Sequence, residues 1–303
     1  MNYGNILTTT WKTIWKEKTI LWFGMLMVIM PVLVGLMIGG VIIFTSVEQI
    51  ERFFESDFSN VATLIFFILY FLFLASSIFL AALSYAGTMK GTLMASQGSA
   101  GLDFSALWEA SLPYFWRMLG VMFSVGFAFM LIAIVPFIFL GFVGALTAGI
   151  GFLCVFPFML LFIPLGIVAY LMLSLSMAAL IAEDGTVFDA IQRAWGVLKA
   201  KFWSLVLMAV ILYFIQVAIG MIIAIPMNAI QFAFILPMQT GTQDPEIFLR
   251  LFGILMAFFI PLSSILQSLG LTYVNGAWLL SFLEAKGAAS SSSEMENEIV
   301  YDA

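Results

Sequence analysis

The chain has 303 residues, of which 63% are hydrophobic and only 9% charged, with a formal net charge of −6 and a mean hydropathy of +1.14. A soluble domain is about 45–50% apolar and about 25% charged, so in water this chain would lack both the interior to hold its apolar side chains and the charges to coat its surface. That excludes a soluble enzyme, a disordered chain and a disulfide-stapled secreted module, and makes the bilayer the solvent of most of the polypeptide.

The first element is N-I-L-T-T-T-W-K-T-I-W-K-E-K at 5–18, which puts Leu7, Trp11 and Ile14 on one helical stripe with Lys12 and Lys16 off it. Such a helix can lie in the headgroup layer, apolar face down, Trp at the boundary and cations toward phosphates. Charge then disappears from Thr19 to Val47 and again from Phe58 to Met89. Each window holds the ~20 apolar residues that a crossing helix needs, predicting spans near 20–44 and 61–87. A second interfacial segment, F-S-A-L-W-E-A-S-L-P-Y-F-W-R at 104–117, ends on Trp116 and Arg117. The charge-free window from Met118 to Ala182 is long enough for two spans, near 118–143 and 152–182, turned at the glycine-rich G-A-L-T-A-G-I-G of 144–151. A third interfacial segment at 188–203 carries Ile191, Trp195, Leu198 and Phe202 on one face. Gln192, Arg193 and Lys199 fall largely off that face, and Lys201 and Trp203 close the segment. The windows Phe202–Gln243 and Leu251–Leu283 predict the last two spans, near 203–236 and 248–283, long enough to tilt or kink. Behind the Ser290–Ser293 run, Glu294, Glu296, Glu298 and Asp302 read as a flexible acidic tail over 290–303.

The predicted fold is therefore all-α: one polytopic membrane domain, 1–289, with six transmembrane helices. With six spans, both termini share a side with the 88–117 and 183–202 connections. That side holds Lys12, Lys16, Lys18, Lys90, Arg117, Arg193, Lys199, Lys201 and Lys286, against only Arg52 and Arg250 opposite. The positive-inside rule places both termini in the cytoplasm of a cell-membrane protein. The apolar run after Lys18 is too long for a signal peptide.

Each interfacial segment runs directly into a pair of spans. The second and third match as F-S-A-L-x-x-A against F-D-A-I-x-x-A, and both reach a Phe-Trp pair. A-A-L-I-A-E-D-G at 178–185 and L-S-F-L-E-A-K-G at 280–287 close the fourth and sixth spans alike. This predicts three repeats of an interfacial amphipathic helix plus a helical hairpin, at about 1–98, 99–185 and 186–289.

The stretch I-A-E-D-G-T-V-F-D-A-I-Q-R-A-W-G-V-L-K-A-K-F-W at 181–203 resembles a signature of prokaryotic multi-pass membrane proteins. These are related to the membrane domain fused to some glycerophosphoryl diester phosphodiesterases, and to stand-alone families of unknown function. In them a span ending on an acidic residue leads to an Ala-Leu/Ile-x-x-Ser/Ala-Trp helix, then to a Trp or Phe and the next span. Glu183, Ala190, Ile191, Ala194, Trp195 and Trp203 fit that pattern, and 98–111 is similar to it as a weaker copy. The resemblance implies the six-span architecture and no activity, since the phosphodiesterase chemistry of fused relatives belongs to a separate soluble domain.

Chemistry within the bilayer would fall to its polar side chains, because such groups are costly at that depth. The fifth predicted span has Gln216, Asn228 and Gln231 around Pro226, and the sixth has Ser263, Ser264, Gln267 and Asn275 around Pro261. One reading is a polar path for a small or hydrophobic substrate of a transporter or channel. The plainer and preferred one is amides bonding across a helix interface. Gly35 with Gly39, and Gly220 with Ala224, permit close helix approach, internal packing being the default. Glu183 beside Asp184 could do acid–base work only by converging on a substrate, and pairing of Glu183 with Arg193 or Lys199 is simpler. With no His and a single Cys, Cys154, zinc sites and His-based triads are excluded. No cofactor or metal is expected. An acidic chain is a poor nucleic-acid ligand, so the expected partners are membrane lipids, with a homo-oligomer or a second membrane protein left open. The expected role is non-enzymatic: a lipid-contacting scaffold, or a part in lipid and membrane homeostasis.

Overall fold

A computed structural model of the chain describes residues 1–46, 48–49, 60–99, 101–147, 155–239 and 245–301. Among these the regular elements are all helical: α1 (Tyr3–Lys16), α2 (Lys18–Gly24), α3 (Ile29–Phe44), α4 (Asn60–Ser96), α5 (Phe104–Ser111), α6 (Phe115–Leu146), α7 (Val155–Glu183), α8 (Val187–Gln239) and α9 (Pro245–Tyr301). Short 3-10 turns, Met25–Val28 and Leu112–Tyr114, join α2 to α3 and α5 to α6. Six stretches of the described chain are helices long and apolar enough to cross a membrane: Lys18–Phe44, Phe67–Ser96, Phe104–Ile134, Phe162–Glu183, Val187–Ile222 and Leu249–Gly287. The chain is built as a multi-pass membrane protein. Half of the glycine-rich turn expected at 144–151, and Cys154, lie outside the described residues, as do the side chains beyond Gly287.

Local sequence explains how the helices start and stop. Pro31 falls in the first turn of α3, where a missing N–H forfeits no helical bond, and the 3-10 turn before it takes up the change. The segment E-D-G-T-V-F-D at 183–189 works as a stop and a start. Asp184 adopts φ 50°, the left-handed conformation that closes a helix and that Asp tolerates better than most residues. Thr186 and Asp189 then cap α8 reciprocally. The Asp189 carboxylate accepts from the Thr186 hydroxyl at 2.6 Å, and the Thr186 hydroxyl oxygen accepts from the Asp189 N–H at 3.3 Å.

Two compact units emerge. The first comprises residues 1–19, 86–211 and 274–303. Its core gathers Met89, Leu107, Met118, Leu171, Leu175, Ala178, Ala194, Leu205, Trp278 and Phe282, all fully buried or nearly so. The Trp278 indole N–H donates to the Tyr170 hydroxyl at 3.0 Å, edge-on to its ring, which ties α7 to α9. The second unit comprises 20–85 and 212–273 and is held by close helix approach. A side chain at Gly39 would meet the Ala257 backbone, and one at Gly35 would meet Ile260 and Pro261, so this G-x-x-x-G seats α3 on α9.

Around this core the described outer surface is unlike that of a soluble protein. Buried polar residues are mostly small (Thr10, Ser84, Thr88, Thr92, Ser111, Ser174, Thr272 and Ser281), while large apolar ones such as Phe71, Leu72, Phe123, Phe127, Ile163 and Phe258 face outward. Several of the inner hydroxyls, including Thr10, Thr92, Ser111, Thr272 and Ser281, donate to the carbonyl one turn back. They are thereby satisfied within their own helix while letting neighbours come close.

Candidate functional site: an interfacial belt and a cleft between helices

The three segments read as interfacial are helical, and each is set off from the span behind it by a break in the backbone. Glu17 separates α1 from α2. The 3-10 turn containing Pro113 separates α5 from α6. At Lys201 the backbone leaves the helical region (φ −131°, ψ 31°) inside α8. All three segments belong to the first unit.

They pack through small or aliphatic faces and leave most of their tryptophans outside, Trp108 of α5 being half-buried. In α1 the buried residues are Ile6, Thr10 and Ile14, so the buried face adjoins the Leu7, Trp11 and Ile14 stripe and shares only Ile14 with it. In the part of α8 before Lys201 they are Ala190, Ala194, Val197 and Leu198, whereas Trp195 is 45% exposed. Gly276 shows why the fit is close: a Cβ there would stand 3.0 Å from Thr10 and 3.2 Å from Thr92. Trp11, Trp15, Trp116, Trp195 and Trp203 are all exposed, and Trp116 and Trp203 most of all. Lys12, Lys16, Arg193 and Lys199 are exposed as well, while Arg117 and Lys201 are partly covered. Lys199 Nζ lies 5.0 Å from the Trp195 ring centroid, in cation–π contact.

Carboxylates, some buried and some exposed, tie these segments to their neighbours. Glu183, mostly buried, receives Lys286 Nζ at 2.8 Å and Arg193 Nε at 3.3 Å, while Arg117 pairs with Asp184 at 2.7 Å. The expected partner Arg193 is present, but Lys286 of α9 rather than Lys199 completes the cluster. Glu284 accepts from the Asn2 N–H at 2.6 Å, at the start of α1. Glu17, buried, accepts from the N–H groups of Gly101 and Leu102 at 3.2 and 3.1 Å, and Thr19 donates to the Leu102 carbonyl at 2.6 Å. Sequence reasoning missed Glu17; its signal was a lone acid among Lys12, Lys16 and Lys18.

The polar residues of the last two spans divide. Asn275 belongs to the first unit, buried, and donates to the Thr88 hydroxyl at 3.3 Å. Asn228 donates to the Ala224 carbonyl of its own helix at 2.7 Å. The side chain of Gln231 lies outside the described residues. Gln216 and Gln267 come together in the second unit, where with Ser263, Gly220, Ala224 and Met227 they line a cleft of about 270 Å³ between α8 and α9. Gln216 Oε1 is buried and has no hydrogen-bond partner among the described residues. It occupies room that Gly270 leaves, 2.8 Å from where a Cβ would stand there. Gly220 has nothing within 4 Å of its own Cβ position, so the Gly220 and Ala224 pair opens a notch instead of admitting a second helix. No family model matches this chain, and neither a curated protein nor a solved structure shows significant similarity to it.

Proposed function

We propose that this is a non-enzymatic cell-membrane protein, both termini cytoplasmic, whose three interfacial helices hold it against anionic lipid. On this reading it serves as a lipid-contacting scaffold or in lipid and membrane homeostasis, with membrane lipids as its partners. The observation that carries the reading is the arrangement of α1 and the start of α8. Each buries a face rich in small or aliphatic residues and leaves Trp outward with Lys or Arg beside it. In the second segment the exposed Trp116 and its neighbour Arg117 stand at the start of α6, while Trp108 of α5 is half-buried beside Glu109. Tryptophan favours the boundary because its ring is apolar while its N–H finds water or a headgroup, and cations beside it add about 1 kcal/mol each near an anionic surface. The break before each span supports the threefold repeat and agrees with the resemblance to membrane domains of the phosphodiesterase-linked kind. Glu183 and Asp184, each engaged by a cation, fit a structural role better than a catalytic one.

Reconstitution tests this with intrinsic fluorescence. Brominated phosphatidylglycerol should quench the tryptophans more than brominated phosphatidylcholine at equal mole fraction. That excess should fall by at least half when Lys12, Lys16, Lys199 and Lys201 are changed to Gln. Equal quenching by both lipids in the unaltered protein would remove the anionic-lipid claim.

A further inference from the structure

We propose that the cleft between α8 and α9 binds a neutral lipid through a hydroxyl group, with Gln216 and Gln267 as its hydrogen-bonding partners. The two amides line one concave site of about 270 Å³ whose remaining wall is Ile219, Gly220, Ala224, Met227 and Ser263, the last with its hydroxyl already donating to the Ile260 carbonyl at 2.8 Å. A buried amide oxygen without a partner costs roughly 1–3 kcal/mol, and hydrocarbon offers nothing to satisfy it. The Gln216 side chain lines the cleft, while its oxygen rests beside Gly270 with no partner among the described residues. The last torsion of a glutamine is soft, so a modest rotation turns Gln216 Oε1 from the space beside Gly270 into the cleft.

The chemistry of the walls selects the occupant. No charged residue occurs from Phe202 to Gln243 or from Leu251 to Leu283, so a phosphate or an ammonium would enter without a counter-charge, which is prohibitive at this dielectric. A hydrocarbon chain alone would leave the amides unsatisfied. A hydroxyl both donates and accepts, and can serve one amide oxygen and one amide nitrogen together. The notch at Gly220 and Ala224 receives the adjoining acyl chain, because the missing side chain at 220 leaves open space. A diacylglycerol-like alcohol meets all three conditions. The cleft and the interfacial belt share no residue, so either assignment can fail without the other.

The test uses the full-length protein in phosphatidylcholine vesicles containing a photoreactive diacylglycerol, with labelled peptides mapped after illumination. Label should concentrate on the segments around 216–227 and 263–267. The analogue with its hydroxyl capped as a methyl ether, and a photoreactive phosphatidylglycerol, should label these segments about tenfold less. Gln216→Leu should reduce labelling to a similar degree. Gly220→Phe should abolish it by filling the notch from a position with free space around it, so that the fold, followed by thermal melting, is retained. Label spread evenly over all six spans, equal labelling by the capped analogue, or full labelling of a folded Gly220→Phe protein would each overturn the proposal.

Discussion

Gly39 and Gly220 have the same sequence signature, a small residue four positions from another, yet they meet different surroundings. Gly39 touches the Ala257 backbone, whereas Gly220 borders empty space. Replacing Gly39 with Leu should destabilise the protein by about 1–3 kcal/mol or more, since neither backbone can yield. Gly220→Ala should be neutral or slightly stabilising through helix propensity. Melting of the detergent-solubilised variants checks both. A tolerated Gly39→Leu would show that α3 does not seat on α9 as described. Spacing alone could not separate the two, because the motif records that a backbone can be approached and not whether anything approaches it. The partners of Glu17 were illegible for a related reason. Its role is to satisfy the N–H groups of Gly101 and Leu102, far along the chain, and no local pattern encodes that pairing.

Hydropathy and charge made the spanning helices legible, because a charge inside hydrocarbon is costly enough to be nearly absent there. Lys90 ends one apolar window, yet α4 continues to Ser96, since a charge marks the edge of the hydrocarbon and not the end of a helix. The face an interfacial helix turns inward was not legible. Apolar periodicity separates water from everything else, but on the proposed reading these helices have two apolar neighbours, protein and lipid. Close packing sends the small residues Ala190 and Ala194 to the protein, and the bulky Trp195 goes outside. Ala194→Leu should therefore lower the melting temperature by several degrees, as overpacking of a fully buried site does. Trp195→Ala should leave it within about a degree while reducing quenching by anionic lipid. The opposite ranking in melting temperature would mean that the large apolar stripe faces the protein after all.

Among the described residues the buried polar side chains are mostly small hydroxyls, and many large apolar side chains lie outside, the arrangement that suits a chain dissolved in oil. On that arrangement and the one-sided distribution of Lys and Arg rests the placement of the belt against the cytoplasmic leaflet. Labelling of single cysteines by a membrane-impermeant maleimide, in a Cys154→Ser background on intact cells, measures that placement. Glu51→Cys and Thr242→Cys should label on intact cells, whereas Gly4→Cys, Ser99→Cys and Ala288→Cys should label only after permeabilisation. Labelling of Gly4→Cys or Ala288→Cys on intact cells would contradict the account, because the tryptophans and cations of α1 and α8 would then face the wrong leaflet or opposite ones.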